Sequence, residues 1–427
     1  MASHRRPSNT RVSDGKQKKS PRPPKSRSKD YLGSHGIVLF LCLILSATAA
    51  YLFLRNKQHS FLERSSIYTR ELMRSDISYK RVLTDYSKNT ETKRHLNSSV
   101  LAYVTPWNSK GYDLAKLFRH KFTHISPVWY QLKCEEKIVL HGRHDVDQTW
   151  IESVRIEGRP MILPRVTMEG LQMDDVLGQQ EETNRAISII TSECKTMHYD
   201  GVVFEAWNGW AYNGILDKPN LRQKALHFVR DLGLALHKIK LPRPNRNMHL
   251  IFVIPPPSAN KDARHFTSID MGTLHRFVDG FSLMTYDYSN PYRPGPNAPV
   301  SWIQDCLQLL LGGKQKVQGS DGIDSASKIL IGLNFYGNDF VLPRGGGPIV
   351  GHEYISLLKK LKPTLSWDTQ AQEHFFEKQK TGELESQFGR LDKAWNTFLI
   401  YCFAGRSVNG QKRWAFEQAQ PSLLTCS

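Results

Sequence analysis

Residues 278–288 read VDGFSLMTYDY, an apolar run that ends in aromatic and polar side chains. Six other stretches have the same form: VLAYVTPW at 100–107, FTHISPVWYQL at 122–132, PMILPRV at 160–166, DGVVFEAW at 200–207, HLIFVIPPP at 249–257 and ILIGLNFYG at 329–337. Segments of helical period lie between them, at 113–119, 183–197, 221–238 and 302–311. Repeated strand and helix units of this kind predict an α/β protein. Seven regular strands without a Gly-rich phosphate loop favour a (β/α)8 TIM barrel over an open doubly wound sheet.

Aromatic and polar side chains gather where these predicted strands end. They are Tyr103, Trp107, Trp129, Tyr130, Trp207, Trp210, Tyr286, Asp287, Tyr288, Asn334 and Tyr336. Strand ends form the face on which barrel sites are built. Aromatic rings among hydrogen-bonding groups suit sugars, so the pattern predicts a carbohydrate ligand. The alternative for any one of these aromatics is that it caps the barrel core.

The net charge of the chain is concentrated near its start. Residues 1–35 carry ten Lys or Arg against Asp14 and Asp30, which is +8 of the formal +18. The rest is spread along the chain without a nucleic-acid-binding motif, so nucleic acid is not expected as a partner. The six cysteines include no CxxC pair and no Cys/His spacing typical of zinc, so neither a metal site nor a cofactor is expected.

Residues 36–54, GIVLFLCLILSATAAYLFL, contain no charged side chain and are long enough to cross a bilayer. We interpret them as a signal anchor that leaves the basic, disordered tail at 1–35 in the cytosol. This gives a type II membrane protein with a stalk at 55–98 in the lumen of the endomembrane system, and Asn97 of Asn97-Ser98-Ser99 as a glycosylation site. The alternative is a cleaved signal peptide, ending near Ala47-Thr48-Ala49, and a secreted or lysosomal protein.

The strings at 102–113, 122–132, 142–150, 200–208, 279–302 and 329–340 together resemble the chitinase domain-containing protein 1 group of glycoside hydrolase family 18. The most specific of them is DGFSLMTYDYSNPYRPGPNAPVSW at 279–302. The resemblance implies a chitinase-type (β/α)8 barrel over residues 99–377. It also implies chitin-type or other N-acetylated oligosaccharides, which contain N-acetylglucosamine, as ligands.

The family motif on the fourth strand is D-G-x-D-x-D-x-E, whose last Glu protonates the glycosidic oxygen in active members. Here the motif begins at Asp200 and Gly201, and its later positions hold Val203, Glu205 and Trp207. Strand alternation predicts that the last three point into the barrel. Glu205 lies two residues, about 6.6 Å, short of the acid's position. The resemblance therefore implies a non-hydrolytic protein, with two alternatives: a weak hydrolase that uses Glu205, and an interaction scaffold with a vestigial cleft.

The same resemblance implies that Tyr286 and Asp287 of the Met-x-Tyr-Asp element hydrogen-bond the sugar and its N-acetyl group. Glu205 is expected as a ligand contact near the sugar amide, or as a buried carboxylate satisfied by tyrosine or backbone donors. The remaining expected sugar contacts follow from strand-end position: Tyr103, Trp107, Trp129, Trp207, Asn334 and Tyr336.

The resemblance stops near residue 377. Family members close the barrel with an apolar eighth strand that ends in Trp, and residues 378–427 contain no such string. A strand over 397–403 is conceivable from composition, but nothing marks it as the closing one. The sequence therefore predicts an altered or incomplete eighth strand, with a variant carboxyl terminus as the simplest account.

Overall fold

The computed structural model describes residues 39, 41–52, 75–85, 94, 98–135, 137–157, 159–169, 173–242, 246–259, 262, 264–312, 326–340, 345–379, 391–396, 400–408 and 411–419. The chain divides into two units, Met1–Ile67 and Tyr68–Ser427. In the first unit, residues 41–52 are helical. Among all described residues, no helix is long and apolar enough to cross a membrane. The predicted tail at 1–35, parts of the predicted anchor and stalk, and Asn97 lie outside the described residues.

A parallel sheet forms the centre of the second unit, and its seven principal strands follow each other in chain order. They are β1 (Leu101–Val104), β2 (His124–Cys134), β5 (Arg165–Glu169), β6 (Gly201–Glu205), β7 (His249–Ile254), β8 (Gly280–Leu283) and β9 (Ile329–Ile331). Two short strands flank β2: β3 (Ile138–His141) is antiparallel to it and β4 (Met161–Ile162) is parallel. The seven strands predicted from sequence are confirmed, and so is their parallel order.

Helices connect the strands. They are α1 (Tyr79–Asp85), α2 (Ser109–Leu117), α3 (Gln148–Val154), α4 (Met173–Gly178), α5 (Gln180–Thr196), α6 (Trp207–Tyr212), α7 (Pro219–His237), α8 (Ser268–Leu274), α9 (Val300–Leu310) and α10 (Gly351–Leu361). The α7 helix begins at Pro219, whose fixed φ suits a first helical turn. Its buried side chains recur at helical spacing, from Ala225 through Phe228, Val229 and Leu232 to Leu236, so one stripe faces the sheet.

The sheet has an apolar layer on each of its faces. Residues on the inner face, Met161, Leu163, Val203, Ile251 and Val253, form one cluster. Residues at the alternate strand positions pack against the helices instead, and they include Val202, Phe204, Phe252, Phe281 and Leu283. This alternation is what a curved sheet covered by helices requires, because successive side chains of a strand point to opposite faces.

The barrel is nearly closed. Tyr103 of β1 reaches across the interior, where its hydroxyl lies 2.8 Å from Ser282 Oγ of β8. However, β1 and β9 stand at the two ends of the strand order, and no strand among the described residues pairs with both. The predicted deficit at the eighth strand is consistent with this arrangement.

An antiparallel sheet follows β9 in the chain, in the order β11-β10-β14-β13-β12. Its strands are β10 (Gly337–Phe340), β11 (Gly346–Ile349), β12 (Ser366–Asp368), β13 (Glu373–Gln379) and β14 (Leu391–Asn396), and a separate hairpin joins β15 (Ile400–Val408) to β16 (Gln411–Ala419). The α1 helix packs through Tyr79, Val82 and Leu83 on the cluster of Tyr354 and Leu358 of α10. Part of the segment predicted as a stalk is therefore a packed helix.

Candidate functional site

The candidate site lies at the barrel mouth, by which we mean the carboxyl-terminal ends of β1 and β5 to β9. Glu205 ends β6 and Arg165 begins β5, and Arg165 Nε lies 2.6 Å from Glu205 Oε2. Both side chains are 23% exposed, so the ion pair borders on solvent. An Arg–carboxylate pair fixes both side chains at a floor that is otherwise apolar.

Tyr286 follows β8 and lies near this pair. Its ring covers Gly332, where an added Cβ would stand 2.8 Å from the ring and 2.4 Å from Leu283 O. Burial raises the pKa of Tyr286 to about 12, and the neighbouring Glu205 and Asp287 carboxylates contribute in the same direction. The phenol is therefore a protonated hydrogen-bond donor throughout the physiological pH range.

Asp287 stands at the rim, exposed, in a left-handed conformation with φ of 58°. Its backbone N–H donates to Asn297 Oδ1 at 2.8 Å, and its carboxylate accepts a hydrogen bond from the Tyr336 hydroxyl at 2.6 Å. Burial and the adjacent Asp287 raise the pKa of Tyr336 well above its usual range. Asp tolerates a positive φ better than most residues. The bond from its N–H fixes the backbone of the loop at Asp287, and the bond from Tyr336 orients its carboxylate.

The loop that carries Asn297 is tied to the antiparallel sheet. Glu373 of β13 is 1% exposed, and its carboxylate accepts hydrogen bonds from the backbone N–H groups of Asn297 at 2.9 Å and Ala298 at 2.6 Å. Asn334, also buried, donates its side-chain amide to the Tyr336 carbonyl. Asn334 thus supports the turn of Tyr336, and its direct contact with a ligand stays a prediction.

Trp207 is not where alternation along β6 predicts it. The strand ends at Glu205, and Ala206 has φ of −145° and ψ of −23°, so Trp207 begins α6 and turns out of the barrel. Its ring is 1% exposed, packs edge-on against Phe266 at 4.9 Å and donates its indole N–H to Arg264 O at 2.8 Å. The prediction that Trp207 points into the barrel is therefore wrong, because a helical turn replaces the last strand residue.

Trp129 is likewise in the outer layer. It shares its side of β2 with Ile125, is 3% exposed and lies edge-on to Trp150 with ring centroids 6.0 Å apart. Its indole N–H donates to Tyr112 Oη at 2.8 Å. Strand alternation from the inward-facing Ser126 puts Trp129 among the helices, so the expectation of a sugar platform on this ring is corrected.

The other predicted positions are divided between the two ends of the barrel. Tyr103 faces the interior, and Trp107, after β1, is 77% exposed. Val203 belongs to the inner apolar cluster, below Glu205. Asp200 and Gly201 lie at the opposite end, where Asp200 Oδ2 accepts hydrogen bonds from Arg155 at 2.7 Å and from the Ile162 N–H at 2.8 Å.

Sequence reasoning did not single out Arg165, Ser282 and Asn297. Arg165 and Ser282 face the barrel interior, which also holds the apolar cluster of Val203, Ile251 and Val253, so a charged or polar side chain on that face is the signal that was available. Asn297 lies in an irregular loop, for which no periodicity exists. Among the described residues, no group of three or more His, Cys, Asp or Glu could hold a metal ion.

The mouth therefore combines two carboxylates, a guanidinium and several hydroxyls, a set that can donate to and accept from a hydroxyl-rich neutral ligand. A family model described as Glycosyl hydrolases family 18 matches residues 170–398, which is more than half of the chain. The chain belongs to glycosyl hydrolase family 18.

Solved structures share its fold. A chitinase from Chromobacterium violaceum is 19% identical over 70% of this chain and 86% of its own, with a TM-score of 0.55. A class V chitinase from Pseudomonas fluorescens is 19% identical over 70% and 87%, with a TM-score of 0.53. A family 18 chitinase from Cycas revoluta, solved in complex with (GlcNAc)3, is 10% identical over 70% and 87%, with a TM-score of 0.51.

Proposed function

We propose that this protein binds N-acetylglucosamine-containing oligosaccharides at the barrel mouth and does not hydrolyse them. The observation that carries the proposal is the position of Trp207, buried in the outer layer where the resemblance expects a catalytic acid at the mouth. Substrate-assisted hydrolysis requires a positioned acid that donates a proton to the glycosidic oxygen. Neither the indole of Trp207 nor its location can supply one.

The remaining carboxylates at the mouth do not replace this acid. Glu205 accepts the Arg165 guanidinium at 2.6 Å, so delivering a proton from it would first require breaking the ion pair. Asp287 accepts the Tyr336 hydroxyl at the rim. A misplacement of about 1 Å can cost a hundredfold in rate, and Glu205 is about two strand residues from the expected position.

Three features support a sugar as the ligand. The family 18 fold is one, and the bound (GlcNAc)3 of the Cycas revoluta chitinase is another. The third is the set of groups that Tyr286, Asp287 and Tyr336 bring together, with hydroxyls and a carboxylate that match sugar hydroxyls and an N-acetyl group. Membership of the chitinase domain-containing protein 1 group, a lumenal location and the anchor at 36–54 are further parts of this proposal, and they rest on the sequence alone.

The test is a titration of the full chain with chitin oligosaccharides of increasing length, with the same samples assayed for shortened products. Binding without shortened products is expected. Asp287→Ala and Tyr286→Phe should each weaken binding, the former by about 1 to 3 kcal/mol because a ligand group loses its partner. The matched control is Asp113→Ala, an exposed carboxylate on α2 that lies outside the mouth.

Two results would contradict the proposal. Shortened products that disappear in Glu205→Gln would identify a weak hydrolase that uses this carboxylate. Affinity that is unmeasurable in the wild type and unchanged in both variants would leave the cleft without a sugar function and favour an interaction scaffold.

A further inference from the structure

The loops that lead from each helix into the next strand carry an excess of basic side chains. We call these loops, residues 118–123, 155–160, 197–200, 238–248, 275–279 and 326–328, the lower face, because parallel strands all begin on one side of a barrel. The described basic residues there are Arg119, Lys121, Arg155, Arg159, Lys238, Lys240, Arg246, Arg276 and Lys328. The described acidic residues are Glu157, Asp200 and Asp279. The lower face is therefore strongly positive.

The nine basic residues outnumber the three described carboxylates of these loops, two of which already have basic partners. Asp200 is paired with Arg155, and Asp279 accepts His237 Nε2 at 2.9 Å. Lys328 donates to two backbone carbonyls, those of His275 at 2.7 Å and Val278 at 3.0 Å, which satisfies its hydrogen bonds and leaves its charge. Loops at the mouth differ, since they carry both signs, with Asp262 and Asp287 beside Arg264 and Arg293.

Aliphatic side chains are exposed along the rim of the same face. Leu117 at the end of α2 is 51% exposed, Ile156 in the following lower loop 44%, and Leu309 near the end of α9 38%. Large aromatics exposed in the described part of the second unit are instead in β1, at the end of α6 and in the loops at the mouth: Tyr103, Trp107, Tyr212, Tyr292 and Phe335. Nucleic-acid strands need aromatic platforms for their bases, which the lower face lacks among its described residues.

A basic surface with an aliphatic rim has the composition of a face that lies on anionic lipid headgroups. Cations attract the lipid phosphates and carboxylates, and aliphatic side chains enter the headgroup region. The helix macrodipole offers another reason for basic residues near helix ends, but it acts within the last turn, as at Lys116 and Lys195. Lys240 and Arg246 lie beyond the end of α7, which is at His237.

We propose that the lower face of the barrel docks on an anionic lipid bilayer, which leaves the mouth directed away from the membrane. This inference is independent of the proposed sugar binding. It also does not depend on an anchor at 36–54, because the contact is made by residues of the barrel itself.

The test uses the full chain with vesicles of phosphatidylcholine alone or with phosphatidylserine added, and measures amide hydrogen exchange. Exchange is measured segment by segment, because an apolar segment elsewhere in the chain can enter both kinds of vesicle and would mask the lower face in a measurement of total binding. Exchange over 238–242 and 275–279 should slow with phosphatidylserine vesicles only, and the effect should vanish in high salt. Each basic charge removed should weaken the contact by roughly fivefold.

The variant pair is Lys238→Glu with Lys240→Glu, and the matched control is Lys110→Glu with Lys137→Glu, which changes the same charge away from the lower face. The lower-face pair of substitutions should abolish the slowed exchange on phosphatidylserine vesicles, and the control pair should retain it. If the first pair melts early, Lys238→Gln with Lys240→Gln replaces it. Unchanged exchange on phosphatidylserine vesicles overturns the proposal, and so does protection by heparin or RNA without protection by vesicles.

Discussion

The two ends of β6 differ in the burial and the partners of their side chains, although only a few residues separate them. At the lower end, Asp200 is 3% exposed and holds Arg155 and the Ile162 N–H, and Gly201 has φ of 145° with His249 O at 2.0 Å from any added Cβ. At the upper end, Glu205 is paired with Arg165 beside solvent, and Trp207 has left the barrel. The lower end matches the family motif and the upper end departs from it.

The difference teaches that the two halves of the motif serve separate purposes. Asp200 and Gly201 belong to the architecture, since Asp200 accepts two hydrogen bonds in a buried site and a Cβ at position 201 would collide with His249 O. The upper positions carry the catalytic acid in active family members, whereas here Glu205 is paired with Arg165 and Trp207 is packed in the outer layer. Substitutions at the lower end should therefore lower stability, and those at the mouth should mainly lower ligand affinity.

The largest effect should come from Trp207→Glu, which would place a carboxylate among Phe266, Phe252 and Trp210. We expect a loss of about 5 kcal/mol in the free energy of unfolding, from the lost aromatic packing and the buried charge together. Trp207→Phe, the control, should lose about 2 kcal/mol because it keeps a ring and gives up the bond to Arg264 O. Urea unfolding measures both. Near-native stability in Trp207→Glu would show that position 207 faces the mouth.

Asp200→Ala should lower the free energy of unfolding by about 3 kcal/mol, since Arg155 and the Ile162 N–H would lose their partner in a buried site. The control is Glu152→Ala, an exposed carboxylate on α3, for which a change below about 0.5 kcal/mol is expected. Chitin oligosaccharide affinity should be the same in both folded variants. A loss of affinity without a loss of stability in Asp200→Ala would contradict the division between the two ends.

Lowering the pH should lower the free energy of unfolding through His124, which begins β2 at the lower end of the barrel. Burial, aided by His249, lowers the pKa of His124 to about 4, while Asp279 opposes and Arg94 and Arg246 reinforce that shift. The unfolded side chain takes up its proton near pH 6.5, so stability is intact above that pH and falls as the pH drops toward 4, by up to about 3 kcal/mol.

Unfolding free energies measured between pH 7.5 and 4.5 should fall less steeply in His124→Gln than in the wild type. Because other groups titrate in both proteins, the difference in slope is the quantity of interest. Equal slopes would mean that His124 is solvated in the folded state and would remove it from the lower-end framework.

The smallest effect on stability is expected at the mouth, in Asp287→Asn. Asn tolerates the positive φ and still accepts the Tyr336 hydroxyl, so the free energy of unfolding should change by less than about 0.5 kcal/mol. Affinity for chitin oligosaccharides should nevertheless fall by about tenfold, because a charged acceptor becomes neutral. Calorimetric titration and urea unfolding on the same sample separate the two quantities. If Asp287→Asn lost stability and kept its affinity, the division between a structural lower end and a ligand-binding mouth would be contradicted.

Much of the fold could be predicted because the hydrophobic periodicities of strands and helices involve residues that are close together in the sequence. The seven principal strands and their parallel order were available from that pattern, whereas the deficit at the eighth strand was inferred from the resemblance to family 18. The antiparallel sheet of β10 to β14 was not, since its pairs join residues such as Asn338 and Trp395, far apart in the chain. The helix at Tyr79–Asp85 was missed because its stability comes from packing on α10.

Less of the site was predictable. Tyr286 and Asp287 follow a strand whose end is clear, so their location at the mouth came directly from the sequence. Trp207 did not, because the change from strand to helix occurs at Ala206, one residue too early for an alternation rule to detect. Trp129 shows the opposite case, because alternation from Ser126 along β2 predicts that its side chain faces the helices, as the structure shows.

The buried Glu373 has a practical consequence for anyone who trims this chain. Its carboxylate holds Asn297 and Ala298, and Asn297 in turn holds the Asp287 N–H, so a residue of the antiparallel sheet supports the rim of the mouth from 86 positions later in the chain, counted from Asp287 to Glu373. A fragment that stops between Tyr336 and β10 would contain Tyr286, Asp287 and Tyr336, the side chains proposed to touch a sugar, and still lack the support for Asp287. The shortest fragment suitable for ligand screening or crystallisation should therefore include all of β13.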